Sequence, residues 1–291
     1  MNHKKKTKIT VYTVLVGLIL FVMCLSILYM FLWGIGTSLK ERRDYRNNVL
    51  GLPEKYMFEN YKQVFKEFTV SRTINGKRVS YNFFQMFFNT LLYAGGSAAC
   101  QVLTCCIVAY LTAKYSFKFS KFLHGLVVAL LVIPIVGATP SSMQLMDKLG
   151  LMDTVYGLWI RNITFTGTSY LIFYAGFKML PWAYAEAGFM DGASHMTVMF
   201  RIMLPMMLNT VGVMFLITFV SLWNDYQTPM IYWKDYPTIA VGLFGFMLDP
   251  THSSVPLKIA CCMVTVFPIL FLFIVMQKKM MGNLTIGGLK G

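Results

Sequence analysis

The sequence predicts an all-α integral membrane protein with six transmembrane helices, and three observations carry that reading. Of the 291 residues, 56% are hydrophobic and 13% charged, with a mean hydropathy of +0.58, whereas ordinary globular domains carry about 25% charged residues. Six apolar stretches each approach the roughly 20 residues that cross about 30 Å of hydrocarbon. Most Lys and Arg fall between those stretches, so the formal net charge of +14 reads as membrane topology, and nucleic acid is not expected as a partner.

The elements follow in order. Residues 1–8, with Lys4, Lys5, Lys6 and Lys8, form a cytoplasmic N-terminus. The uncharged run from Ile9 to Leu39 is too long for a signal peptide and lacks a small-residue cleavage site, so it is expected to be retained as the first span. The transmembrane domain covers 9–277, with spans near 9–34, 86–111, 122–146, 155–177, 207–231 and 255–277. Pro134 and Pro140 interrupt the third span, and Arg161 with Asn162 lies in the fourth. Residues 278–291 form a cytoplasmic tail.

Charge in the loops orients these spans. Lys114, Lys118 and Lys121 between spans two and three, and Lys278, Lys279 and Lys290 in the tail, favour cytoplasmic N- and C-termini. The first external loop opposes this, because residues 40–78 carry ten Lys or Arg; the other loops outvote it. Lys40 to Arg46 reads as a solvated loop or as a docking surface for an external protein.

Several chemistries are missing. An ionisable group at mid-membrane costs about 2.5–3.5 kcal/mol and usually marks an ion path, yet Asp225, Lys258, His124 and Arg161 all fall near span ends. A proton-coupled transporter or an intramembrane hydrolase would need buried carboxylates or histidines, so both readings lose ground. The chain has no phosphate-binding loop, the fragment Asn75–Gly76–Lys77–Arg78 lacking the pattern, and no metalloprotease or nucleophile-elbow motif. The six cysteines, Cys24, Cys100, Cys105, Cys106, Cys261 and Cys262, lie in apolar stretches without the separated pairs of a zinc site. No catalytic residue, metal site or cofactor is expected in this chain.

The most informative segment is cytoplasmic and covers 181–205. Pro181 suits the first turn of a helix, and Ala185, Gly188 and Gly192 fall three and four residues apart, which leaves one face almost without side chains. A bare face would let another protein approach closely. Elsewhere, Asn89, Gln101 and Asn209 are uncharged polar residues in apolar spans; they could hydrogen-bond a neutral solute or join helix to helix. Trp223, Asn224 and Tyr226 around Asp225 could form a gate in a solute pathway, or an aromatic belt at the outer interface.

The spacing within 181–205 resembles the permeases of binding-protein-dependent ABC importers, whose signature reads Glu-Ala-Ala, three residues, Gly, nine residues, Ile, one residue, Leu-Pro. Glu186, Ala187, Gly192, Ile202, Leu204 and Pro205 keep every spacing, and Gly188 stands in place of the third-position Ala. If exposed, that glycine would loosen the helix by about 1 kcal/mol. Further pieces are similar to the maltose-type second permease of the carbohydrate branch: Thr37–Ser38–Leu39–Lys40, Glu59–Asn60–Tyr61, Trp223–Asn224–Asp225–Tyr226 and the ending from Asn283 to Gly291. The likeness runs over nearly the whole chain.

The resemblance implies a type I ABC importer permease fold in a bacterial cell membrane. It makes Glu186, Ala187, Gly188, Asp191, Gly192, Ile202, Leu204 and Pro205 a coupling helix for a separate ATPase, and gives the tail, at Gly287 and Gly288, a further ATPase contact. The implied partners are a paralogous permease, two ATP-binding subunits that hold the ATP and Mg, an extracellular solute-binding protein and membrane lipid. The expected cargo is a neutral sugar or oligosaccharide, moved by alternating access; the alternatives are an ATP-independent facilitator or channel for a neutral solute, and an integral-membrane enzyme.

Overall fold

The computed structural model describes residues 11–74, 76–133, 137–251 and 254–281, with side chains through residue 275. Two compact units emerge, one of Met1–Phe68 with Phe246–Val266 and one of Thr69–Gly245 with Phe267–Gly291.

The first unit begins with α1, Val11–Ser38, a helix of 28 residues without a charged side chain. At 1.5 Å per residue it is about 42 Å long, more than a bilayer core demands. Its apolar length is exposed on all sides, and its polar end is not: Thr37, Ser38 and Lys40 are buried. There the chain turns into α2, Arg42–Asn47, and then α3, Glu59–Glu67. The Asn60 amide donates to the carbonyls of Ser38 at 2.8 Å and Lys40 at 2.9 Å, and Ser38 Oγ meets Tyr61 Oη at 2.7 Å. Lys40 Nζ donates to the carbonyls of Asn48 and Val49, so Lys40, expected in a solvated loop, is buried and serves the fold. Lys62 pairs with Glu59 at 3.0 Å.

The second unit opens with an element absent from the sequence-based expectation, an antiparallel hairpin of β1, Val70–Ile74, and β2, Lys77–Tyr81, in the register Val70↔Tyr81 to Ile74↔Lys77. A capping box follows: Asn82 Oδ1 accepts from the Gln85 N–H at 3.0 Å, and Gln85 Oε1 accepts from the Asn82 N–H at 2.9 Å. Together they satisfy two otherwise orphaned donors and start α4, Phe83–Lys114. Ala94, Ala98, Val102, Cys105, Cys106 and Ala109 are fully or almost fully buried along α4, and these small side chains let α7, Val155–Arg161, α8, Thr168–Met179, and α12, Leu208–Trp223, pack closely on it. At Gly96 even a methyl group would overlap the Trp159 indole, whose Nε1 donates to the Leu92 carbonyl at 2.9 Å.

The remaining elements are α5, Lys118–Val132; α6, Ala138–Lys148; α9, Ala183–Met190; α10, His195–Thr197; a π-helical turn, Val198–Met203; α11, Leu204–Met206; α13, Gln227–Tyr232; α14, Ile239–Leu248; and α15, Val255–Met281. Among the described residues, α1, α4 and α15 are long and apolar enough to cross a membrane singly, and residues 195–206 with α12 make a fourth candidate bent by 73°.

Residues 155–177, expected as one span, form α7 and α8 instead. Asn162 turns its amide back to the Leu158 carbonyl at 2.8 Å, and Gly167 adopts φ +108°, so the helix cannot continue between them. The region 122–146 likewise divides into α5 and α6, and 207–231 into α12 and α13.

Candidate functional site

The segment 181–205 is entered through a backbone constraint. Leu180 precedes Pro181 and is extended at ψ 132°, which ends α8, because the proline ring disfavours helical geometry in the residue before it. Lys114, at the end of α4, donates to the Leu180 carbonyl at 2.5 Å and fixes that corner.

Helix α9 closes with a Schellman motif. The Ala193 N–H reaches the Gly188 carbonyl at 2.9 Å and the Gly192 N–H reaches Phe189 O at 3.0 Å, with Gly192 at φ +80°. Only glycine takes that conformation without strain. A Cβ placed at Gly192 would meet nothing within 4 Å, so what favours glycine there in the isolated chain is its backbone conformation alone. Ser194 then accepts the Thr197 N–H at 3.2 Å and starts α10. The following π-helical turn and Pro205 carry the chain to Met207, where it bends into α12.

The small-residue face points inward, contrary to the sequence-based expectation of a bare surface offered to a partner. Ala185 and Gly188 are buried, and a Cβ at Gly188 would lie 2.6 Å from Ile202 Cδ1 and 3.2 Å from Val198 Cγ2. Glycine at the third signature position therefore makes room for Ile202. Helix propensity alone would penalise it, but the position is packed rather than exposed. The outward face consists of Glu186, Ala187, Met190, Asp191 and Gly192, with Met190 88% exposed. Of the remaining signature residues, Ile202 and Leu204 are half-buried and Pro205 is exposed.

This segment shares a core with the long helices. Ala185, Val198, Met199, Met203 and Met207 pack in one cluster with Cys106, Ala109 and Tyr110 of α4 and Tyr170, Phe173 and Phe177 of α8. A collar of rings surrounds the joint: Tyr115 meets Trp182 at 5.7 Å, Phe189 meets His195 at 4.8 Å, and Tyr115 Oη lies 3.0 Å from His195 Nδ1. Close-packed interiors transmit displacement, so a push on α9 reaches α4 and α8. The collar escapes sequence reasoning because Tyr115 and His195 are 80 residues apart, and their aromatic character is the sole local signal.

The proposed pathway residues are placed differently. The Asn89 amide donates to the Pro237 carbonyl at 3.0 Å and the Asn224 amide to Val220 O at 2.9 Å. Trp223 is buried against Phe87 and Phe219, and Tyr226 stacks on Phe244 at 4.4 Å. Gln101 and Asn209 are half-buried. Their neighbour Asp225 joins two helices: Oδ2 accepts from Tyr93 Oη at 2.8 Å and Oδ1 from the Thr228 N–H at 3.1 Å. Gly287 and Gly288 lie outside the described residues. Among the described residues no group of three or more His, Cys, Asp or Glu could hold a metal ion.

Comparison with known proteins gives one consistent picture. No family model matches the chain. It is 27% identical over 287 residues to the arabinooligosaccharides transport system permease protein AraQ of Bacillus subtilis (strain 168), covering 95% of this chain and 96% of that one. It is 24% identical over 282 residues to the trehalose/maltose transport system permease protein MalG of Thermococcus litoralis, covering 95% and 96%. Among solved structures, it superposes with a TM-score of 0.74 and 17% identity on a chain of a bacterial ABC transporter involved in the import of the acidic polysaccharide alginate, covering 92% of this chain and 96% of that one; that likeness bears on the fold alone.

Proposed function

We propose that this chain, a carbohydrate-type ABC importer permease by its likeness to such permeases over nearly its whole length, carries a neutral sugar or oligosaccharide across a bacterial cell membrane by alternating access. It is a transport subunit and not an enzyme. In this reading an external solute-binding protein delivers the cargo, a paralogous permease completes the pathway as a heterodimer, and ATP with Mg is bound and hydrolysed in two partner subunits. The same reading takes six spans and cytoplasmic termini, which would put 181–205 on the ATPase side.

The observation that carries the proposal is the build of that segment. Its inward face, Ala185 and Gly188, is locked onto the core that includes α4 and α8, and its outward face, Glu186, Ala187, Met190, Asp191 and Gly192, is left open. Such a part receives a push on one side and delivers it on the other. The same eight residues, Glu186, Ala187, Gly188, Asp191, Gly192, Ile202, Leu204 and Pro205, are proposed to couple the ATPase to the spans. Asn89, Gln101, Asn209, Trp223, Asn224 and Tyr226 are proposed to shape the pathway largely by holding helices in place, and Gly287 with Gly288 to add a tail contact. A neutral cargo fits because Asp225 is occupied with Tyr93 and Thr228.

The test is solute-stimulated ATP hydrolysis by the reconstituted complex with Gly192→Asp. Aspartate is among the few residues that visit the left-handed conformation, at a cost of about 1–2 kcal/mol, and a Cβ at this position meets nothing within 4 Å. The permease should therefore fold while its docking face is altered. We expect stimulation to fall at least tenfold with the complex still isolable or the ATPase detached. Unchanged stimulation and uptake would refute the coupling assignment, and a wild-type chain that associates with no ATPase would favour the facilitator.

A further inference from the structure

We propose that the ends of α4, α5 and α8 form a binding site for the phosphodiester headgroup of an anionic phospholipid in the membrane leaflet on the coupling-segment side. The inference rests on the topology proposed above for its placement, and on a cluster of cations for its chemistry.

Three helix ends are tied into one knot. Ser120 Oγ donates to the Thr112 carbonyl at 3.0 Å, which holds the start of α5 on the end of α4. Thr112 Oγ1 lies 2.8 Å from Tyr170 Oη of α8, and His124 Nδ1 of α5 lies 3.3 Å from the same hydroxyl. The His124 ring stacks on Tyr174 at 4.1 Å, and Lys178 Nζ stands 5.7 Å over that Tyr174 ring. Lys114 is bonded to Leu180 O at the end of α4. Lys118 and Lys121 are exposed one turn apart at the start of α5, and Lys178 is exposed in the last turn of α8, so these joined helices carry four lysines at the termini nearest the Leu180 corner. Helices α4, α5 and α8 contain no Asp or Glu, so nothing on them neutralises the cluster.

Two features favour a lipid surface over a protein. The lysines alternate with Phe117, Phe119 and Phe122, which are 43%, 57% and 61% exposed, the amphipathic pairing expected at the headgroup level of a bilayer. Farther along α5, Val128 and Val132 are exposed as well, so the helix leaves the cluster into a stretch that only hydrocarbon covers well. A headgroup therefore meets the ammonium groups while its acyl chains run beside α5. Basic residues at a membrane surface attract anionic lipid with a strength that grows with each cation. The site adjoins the Leu180–Pro181 corner, so its occupancy bears on how α9 is held.

The experiment uses the full transporter complex in nanodiscs of phosphatidylcholine with and without phosphatidylglycerol, and native mass spectrometry counts the lipid retained. Substituting Lys118→Gln, Lys121→Gln and Lys178→Gln should weaken phosphatidylglycerol retention about fivefold per lysine. Lysine-to-arginine versions should restore it, and Lys148→Gln on α6 should leave it unchanged. Retention equal to wild type in the triple variant overturns the proposal, as does displacement of the lipid by inorganic phosphate. So does a variant that keeps its lipid but sheds the ATPase, because the cluster would then be a protein interface. A wild-type chain that binds no ATPase yet retains phosphatidylglycerol through these lysines upholds the lipid site and refutes the importer reading alone.

Discussion

Two regions of this molecule carry sequence pieces shared with the same family, and they use them in opposite ways. Around Thr37–Lys40 and Glu59–Tyr61 the polar groups turn inward, where Asn60 takes two carbonyls, Ser38 meets Tyr61 and Lys40 is fully buried on backbone oxygens. In 181–205 the small residues Ala185 and Gly188 turn inward, and the charged residues Glu186 and Asp191 stay exposed. A buried polar group is costly without a partner; here Ser38, Lys40 and Asn60 find theirs inside the chain and Thr37 Oγ1 does not, so the first region is mainly architecture. Exposed carboxylates on a helix held rigidly from below make no such demand, and the second region is available to a partner.

Predictions that break or sharpen this contrast follow in order of size. Asn60→Ala removes both amide bonds and leaves two carbonyls unpaired, which should cost about 1–3 kcal/mol and appear as a lower unfolding temperature in detergent. The coupling of hydrolysis to solute in complexes that do assemble should be unchanged, and a coupling defect at full stability would place a functional contact in the first region. Tyr115→Phe loses the 3.0 Å contact with His195, worth about 1 kcal/mol. It should lower stimulated hydrolysis severalfold while the unfolding temperature falls by only a few degrees, about 2–4 °C.

Gly188→Ala should have the smallest effect. A gain of about 1 kcal/mol in helix propensity is opposed by displacement of Ile202, at about 0.5–1.5 kcal/mol for an off-rotamer side chain. Combining it with Ile202→Val, which removes the opposing Cδ1 methyl, should recover the gain, and a double-mutant cycle on unfolding would read that coupling directly. Simple additivity would mean that the two residues do not touch.

Much of this was legible in residues, and the exceptions have physical causes. The uncharged run of α1 and the long apolar stretch of α4 needed only counting. The break between α7 and α8 was signalled by Arg161 and Asn162 but not readable as a break, because it depends on the Asn162 amide reaching Leu158 O and on the torsion of Gly167. The hairpin did announce itself: Asn75–Gly76 lies between Val70, Arg72 and Ile74 on one side and Val79 and Tyr81 on the other, and an Asn-Gly pair between alternating strands is a strong turn signal. Its Lys and Arg drew attention to charge instead.

In 181–205, Gly192 was legible as the glycine of the signature and was expected on one helix face with Ala185 and Gly188; it instead follows the end of α9 on the outer surface, and the direction of the Ala185–Gly188 face was not legible either. Periodicity groups residues on one side of a helix without saying whether that side meets the chain's own core or a partner. Val198 and Ile202 decide it here, and both lie beyond the turn that Gly192 closes.

The most direct test of the central claim places a photo-crosslinking side chain at Met190, which is 88% exposed at the end of α9, and irradiates the assembled transporter in membranes. The account predicts an adduct between this chain and an ATP-binding subunit whose yield changes when ATP is added, with no such adduct from the buried position Ala185. Crosslinking from position 190 to lipid alone, or to no protein, would contradict it.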